Sequence, residues 1–197
     1  YPTYWFRPAQ KIATDAGHHR FIWDLRYAPP AGSQRQHSIS AVYKNTPTGP
    51  QGPFVMPGKY TVRLTVDGKP MEKSLEIKMD PRVTITSADL KAQHDYSMDC
   101  YNAYHELQSM RESIEAQLNG KKKLKKSQYI ALNEMVGEGK PENPDIIYGS
   151  ITERPNETIV GLQDKFLYMQ LVFQNADAKP TQQAIEGLKR LQAIKIE

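Results

Sequence analysis

The chain has 197 residues, of which 24% are charged and 9% are aromatic, and its formal net charge is +4. This length allows one or two domains with a sizeable core. No apolar run approaches the roughly 18 residues of a membrane-spanning helix, so the sequence predicts no membrane segment. The chain begins at Tyr1 and not at a Met, and we therefore expect it to be a processed or excised piece of a longer protein. The absence of a signal peptide here then says nothing about the location of the parent protein.

Cysteine content and charge distribution exclude further classes of protein. Cys100 is the single cysteine, so neither an internal disulfide nor a cysteine-based zinc site can form. Its position in a helical pattern predicts a buried, inert thiol. Residues 1–85 carry 12 Lys and Arg against 6 Asp and Glu, whereas residues 86–197 carry 14 against 16. No arginine-rich stripe with interleaved aromatic residues appears, which argues against a nucleic-acid partner.

The first six residues contain an aromatic cluster. Its members are Tyr1, Tyr4, Trp5 and Phe6. Such rings pack against a neighbouring sheet or, when they lie exposed on one flat face, can stack against sugar rings. These four residues are the candidate contact site for a carbohydrate or a protein partner, and packing is the interpretation that we favour.

The segment GHHRFIWDLRY, residues 17–27, alternates in the manner of a strand. Phe21, Trp23, Leu25 and Tyr27 occupy every second position, which predicts a β-strand with one aromatic face. We expect this strand to lie in the centre of a sandwich, with Trp23 in the core and Phe21 and Leu25 packed beside it.

Three further strands follow before residue 86. SISAVYKN (38–45) is a short strand between two loops rich in Pro and Gly. KYTVRLTV (59–66) and SLEIKM (74–79) alternate and flank Asp67-Gly68, the signal of a two-residue type I′ hairpin. Short strands joined by such turns predict an immunoglobulin-like or fibronectin-III-like β-sandwich over residues 1–85.

Residues 86–197 predict a bundle of three or four antiparallel helices. A helix capped by Thr86 or Ser87 extends for about thirty residues to Asn119-Gly120. A short helix follows over 127–137, and a third over 155–175. Thr181 caps the last helix. The fold class is thus α+β, with a sandwich domain at 1–85 and a helical domain at 86–197.

The sequence contains no recognisable catalytic, metal or cofactor motif. Adjacent His18 and His19 point to opposite faces of a strand, and His94 and His105 are too far apart along one helix to share a metal ion. A glycosidase site would require two facing carboxylates. Asp24 is the single acid considered that has an aromatic neighbour, and we interpret its carboxylate as one partner of a surface ion pair. The basic run at 121–126 is either an anionic-surface patch or, as we prefer, a solvated loop.

Three motifs together resemble a known family. They are GHHRFIWDLRY (17–27), PGKYTVRLTVDG (57–68) and ADAKPT (176–181). They are similar to the C-terminal region of large bacterial secreted proteins with an N-terminal β-propeller of BNR or sortilin-like repeats, commonly labelled glycosyl-hydrolase-like. The resemblance implies an Ig-like module followed by a helical appendage, in a secreted, periplasmic or cell-surface protein. Any hydrolytic or ligand-binding activity would then belong to the propeller.

The leading functional hypothesis is a non-catalytic accessory region that serves as a spacer or docking module for the upstream propeller. The alternatives are a carbohydrate-binding module that recognises glycans, and a region that contributes residues to a glycosidase-like site shared with the propeller. Only four firm strands are found where a sandwich requires about seven. We therefore expect an open sheet edge, or completion by upstream residues, a partner chain or a dimer mate.

Overall fold

The computed structural model describes residues 3–7, 12–33, 43–47, 49–120, 124–137 and 158–196. A short 3₁₀ turn spans Thr3–Trp5. Strand β1 spans Gly58–Val66 and strand β2 spans Lys69–Ile77. Four helices follow: α1 at Ser87–Leu118, α2 at Lys126–Val136, α3 at Ile159–Gln174 and α4 at Gln182–Gln192.

The hydrophobic core lies among the helices. Helix α1 packs against α3, and α4 packs against α3. All three helices contribute side chains to one cluster. The principal cluster contains Cys100, Leu162, Phe166, Phe173, Ala184 and Leu188. A second cluster contains Ile114, Val136, Ile159 and Val160, and it joins α2 to α1 and α3. The four predicted helices are therefore confirmed.

Threonine hydroxyls start three of these helices. Thr86, Thr158 and Thr181 each accept a hydrogen bond from the backbone N–H three residues later, at 3.1–3.2 Å. Each bond satisfies one of the free amides of a helix N-terminus. Helix α1 ends at Asn119, and α2 ends at Gly137 with a φ of 74°. The predicted caps at Thr86, Asn119 and Thr181 are confirmed.

The predicted β-sandwich is wrong. Within the described ranges, β1 and β2 form a two-stranded sheet and no further strand joins it. Residues 43–45 form a turn, and residues 38–42 of the predicted second strand lie outside the described residues. The module is thus neither immunoglobulin-like nor fibronectin-like. The predicted hairpin, in contrast, is confirmed with its turn at Asp67-Gly68.

The segment 17–27 has no regular secondary structure and is not a strand. Leu25 has a φ of 60°, which takes the backbone out of the β region. Arg26 alone pairs with Phe54, in one isolated antiparallel bridge. Prolines interrupt both sides of this bridge and cannot donate to a ladder; they are Pro29, Pro30, Pro47, Pro50, Pro53 and Pro57. The predicted strand is therefore wrong, and no continuous partner strand is present in the part of the chain described.

Two segments without regular secondary structure, 25–30 and 51–55, lie on the helix pair. Tyr27 N–H donates to the oxygen of Pro53, and Val55 N–H donates to that of Leu25, both at 2.9 Å. The Tyr101 hydroxyl of α1 donates to the backbone oxygen of Ala28 at 3.1 Å. We call these two segments the extended frame. Contacts of this kind connect the N-terminal half to the bundle, and the domain boundary at 85/86 stays a prediction.

Candidate functional site

The structure brings together only part of the predicted aromatic contact site, namely Tyr4 and Trp5. Tyr4 is exposed, whereas Trp5 and Phe6 are half-buried, and Tyr1 lies outside the described residues. The rings of Tyr4 and Trp5 are inclined at 68°, with their centroids 6.5 Å apart. The pair therefore forms an edge-to-face contact rather than a flat platform.

The aromatic side chains of residues 17–27 do not form a core. Phe21 is 61% exposed, and Trp23 is half-buried. The Trp23 ring meets the ring of Tyr60 edge-on at 5.8 Å, and its Nε1 donates to the backbone oxygen of Arg26 at 2.9 Å. The expected central position of Trp23 is therefore wrong, and Trp23 instead covers the base of the hairpin.

Arg26 joins the extended frame to helix α3. Its guanidinium donates to the backbone oxygen of Gly52 at 2.9 Å and to Gln174 Oε1 at 3.3 Å. Its Cζ lies 3.4 Å from the centre of the Phe54 ring. Burial lowers the pKa of Arg26, Asp24 opposes this effect, and Arg7 adds to it. Arg26 therefore holds the hairpin's supporting segment in place and stays charged.

The β1–β2 hairpin has one apolar face and one polar face. Paired residues share a face, and Tyr60 pairs with Leu75, Val62 with Lys73 and Leu64 with Met71. The exposed apolar side chains on this face are Val62, Leu64, Val66, Met71 and Leu75, each 38–55% exposed. Trp23 covers the Tyr60 end, and from there to the turn this hairpin face is open. We refer to these five side chains as the apolar hairpin face.

Charge is distributed unequally over the hairpin. Lys69 and Lys73 share the apolar hairpin face, where β1 and β2 place no acid. On the polar face, Arg63 pairs with Glu72 across the strands, with Arg63 Nη2 2.6 Å from Glu72 Oε1. The apolar hairpin face therefore carries positive charge at the turn, from Lys69, and within the face, from Lys73. On the polar face, the charge of Arg63 is balanced by Glu72.

The two edges of the hairpin differ in hydrogen-bonding capacity. Asp67 and Gly68 both have positive φ, 48° and 76°, which defines a type I′ turn closed by the hydrogen-bonded pair Val66 and Lys69. Because bonded and non-bonded pairs then alternate, the outward-facing backbone groups belong to alternate residues. On β1 these are Lys59, Thr61, Arg63 and Thr65, and on β2 they are Pro70, Glu72, Ser74 and Glu76.

Pro70 makes the β2 edge defective. Proline has no backbone N–H, and its ring occupies space where a neighbouring strand would lie. The β2 edge therefore lacks a donor beside the turn. The β1 edge keeps its N–H and C=O groups along the whole strand. No other described segment pairs with β1, so within the described ranges the hairpin has one complete open edge.

A cavity lies at the base of the hairpin. Its volume is about 330 Å³, and its lining includes Met56, Met79, Val83, Ile85 and Leu90. Met56 precedes β1 by two residues and Met79 follows β2 by two, so the apolar character continues past the strands. Asp80 stands at the rim, where hydrogen bonds from Arg82 lower the pKa of its carboxyl.

The other candidate groups from the sequence are Cys100 and the histidine pair His18 and His19. Cys100 is buried as predicted, and loss of solvation raises the pKa of its thiol to about 12. His18 and His19 are exposed, and His19 Nε2 bonds the backbone oxygen of Asp15 at 2.7 Å. Among the described residues, no group of three or more His, Cys, Asp and Glu could hold a metal ion.

The remaining predicted features fall partly outside the described residues. Residues 121–123 of the basic run lie outside the described residues. Lys126, at the end of the run, is the first residue of α2. In the ranges that the structure describes, no helix combines the length and apolarity needed to cross a bilayer.

Sequence reasoning found the hairpin but missed its exposed face and unequal edges. The alternation of β1 and β2 identifies an apolar face but does not reveal whether anything covers it. Pro70 was the available signal, because a proline inside an alternating segment indicates an edge strand. A search of family models, curated proteins and solved structures finds no match to this chain.

Proposed function

We propose that this chain is a non-catalytic accessory region that docks onto a partner domain through the apolar hairpin face. The observation that carries the proposal is the exposure of Val62, Leu64, Val66, Met71 and Leu75 on one side of a projecting hairpin. Contiguous exposed apolar patches are rare on free-standing domains and mark interaction surfaces. The bundle has its own core, so the hairpin face is not needed to complete it.

The partner that we propose is the β-propeller expected upstream in the same parent protein, at the cell surface, in the periplasm or outside the cell. The resemblance of the three motifs supports this assignment. The Trp23 ring packs against Tyr60 at the base of the hairpin. Arg26 of the extended frame donates a hydrogen bond to Gln174 of α3. A docking element fixed in this way loses little conformational freedom on binding.

Calorimetry of the chain with the separately expressed propeller tests this function. We expect micromolar or tighter binding, weakened about tenfold by Leu64→Gln, because burial of a central apolar contact is lost. Thr65→Gln is the matched control, since Thr65 is the next residue and lies on the polar face. Equal affinities for the two variants would overturn the assignment of the docking face, and absence of binding by the unaltered chain would overturn the partner.

No second function is proposed. The inclined rings of Tyr4 and Trp5 do not favour a flat sugar platform. Carbohydrate binding, and a glycosidase-like site shared with the propeller, therefore stay predictions.

A further inference from the structure

We infer that the β1 edge of the hairpin receives a β-strand from the partner, with apolar residues at alternate positions and acidic residues between them. The inference rests on the proposed docking function and specifies its chemistry. It adds main-chain hydrogen bonding to the apolar contact described above, in the mode known as β-augmentation.

The register of the hairpin identifies the receiving edge. Lys59, Thr61, Arg63 and Thr65 direct their N–H and C=O groups away from β2, as the closing pair of the type I′ turn requires. An unpaired edge of this length is a template for another strand. The opposite edge is interrupted by Pro70, so the hairpin favours addition at β1.

The apolar face determines the pattern of the incoming strand. Side chains alternate between the two faces of a sheet, so half of the added residues would extend the face formed by Val62, Leu64 and Val66. These residues must be apolar to bury that face. The other half would lie beside the polar face of β1.

Charge determines the second half of the pattern. Strand β1 has Lys59 and Arg63 and no acid, and opposite charges on neighbouring strands stabilise a sheet. Arg63 already pairs with Glu72 on β2, but an incoming strand would lie on the other side of β1. Asp or Glu on the polar side of that strand would therefore neighbour Lys59 and Arg63 directly.

Two other occupants satisfy the hairpin less well. A lipid surface would cover the apolar face but would leave the edge amides and carbonyls of β1 without partners in an apolar medium. A second copy offers either its own β1, which would place Lys59 and Arg63 beside the same cations, or β2, where Pro70 removes one donor of the outer edge. A strand from a different domain meets every requirement.

A labelled peptide, Val-Glu-Val-Thr-Val-Glu-Val, with blocked ends, tests this inference against the full chain by fluorescence anisotropy. We expect saturable binding that weakens at least tenfold when both Glu are replaced by Lys, and when alternate amides of the peptide are N-methylated. The N-methylated peptide removes the donors without altering the protein, so this arm does not depend on the folding of a variant.

Proline substitutions locate the edge. Thr61→Pro removes an outward N–H from β1, and Ser74→Pro removes the directly opposite outward N–H from β2. Neither group contributes to the β1–β2 ladder. We expect at least a tenfold loss of peptide affinity for Thr61→Pro and less than twofold for Ser74→Pro. Equal effects, or no saturable peptide binding at all, would overturn strand addition.

The same samples separate the other outcomes. Sedimentation that shows a dimer sensitive to Thr61→Pro would reassign the edge to a second copy. If the chain binds no peptide but co-sediments with phosphatidylglycerol vesicles, and Thr61→Pro does not change this, the hairpin would be reassigned to a lipid surface. Either the dimer or the vesicle result would overturn the inference. If Thr61→Pro still binds the propeller with full affinity, strand addition is refuted but the docking function is not. If the chain binds the peptide but not the propeller, only the proposed partner is refuted.

Discussion

Replacement of Arg26 by Met tests whether one side chain fastens the extended frame to the bundle. The guanidinium donates to Gly52 and Gln174 and lies over the Phe54 ring. Met preserves much of the aliphatic stem and removes both the donors and the charge. The substitution therefore separates the polar contacts of Arg26 from its packing.

The expected loss of stability follows from these contacts. A hydrogen bond from a charged donor contributes about 1.5–3 kcal/mol, and a partly exposed cation–π contact adds about 0.5–1 kcal/mol. Arg26 is only partly buried, so water replaces part of what is lost, and we expect the free energy of unfolding to fall by about 2 kcal/mol. For a chain of this size the melting temperature should fall by about 4–8 °C.

Urea denaturation and amide hydrogen exchange measure this effect. If the frame opens locally, the amides of Tyr27 and Val55, which bridge its two segments, should exchange up to about thirtyfold faster. Arg82→Met is the control, because Arg82 is exposed and bonds only the nearby Asp80 in the described structure. Equal stability of the two variants, together with unchanged exchange at Tyr27 and Val55, would refute the role of Arg26.

Three further predictions concern the bundle. Gly137→Ala should lower the free energy of unfolding, measured in urea titrations, by about 1–3 kcal/mol. The added Cβ would lie 2.5 Å from the Cβ of Thr158, and the φ of 74° is unfavourable for alanine. An unchanged urea midpoint would contradict this close approach. Cys100 should resist iodoacetamide at pH 8 in the folded chain. Its thiol pKa of about 12 lies above the unfolded value, so stability should fall from about pH 9 towards 12, by up to about 1.4 kcal/mol per pH unit, and Cys100→Ala should remove this component. Gln93→Ala should cost about 1–3 kcal/mol, because the Phe173 carbonyl would lose its buried donor; a loss below 0.5 kcal/mol on the same scale would contradict this.

The features that the sequence predicted correctly are those determined by neighbouring residues. The hairpin follows from Asp67-Gly68 between two alternating segments, and helix α4 follows from the Thr181 cap and its apolar stripe. Each requires information from fewer than about thirty residues. The buried Cys100 could likewise be predicted, because its helical position fixes the face on which it lies.

The wrong prediction of a sandwich has a physical reason. Strand pairing depends on residues far apart in the chain, and alternation within one segment carries no information about them. Alternation at 17–27 predicted a strand, but it does not specify a partner strand. The structure places Trp23 against Tyr60 and gives Leu25 a left-handed conformation instead. The candidate site depended on the same missing information, since an alternating strand has the same pattern whether its apolar face is covered or open.

Pro70 has a consequence for stoichiometry. A chain with two open sheet edges can add copies at both sides, and such growth has no natural end. Here one side accepts a strand and the other is interrupted beside the turn. Addition of one strand at β1 therefore consumes the hairpin's only complete edge, and assembly stops at a single pair of partners. If strand addition occurs at β1 as proposed, we expect Pro70 to disfavour further growth at the β2 edge.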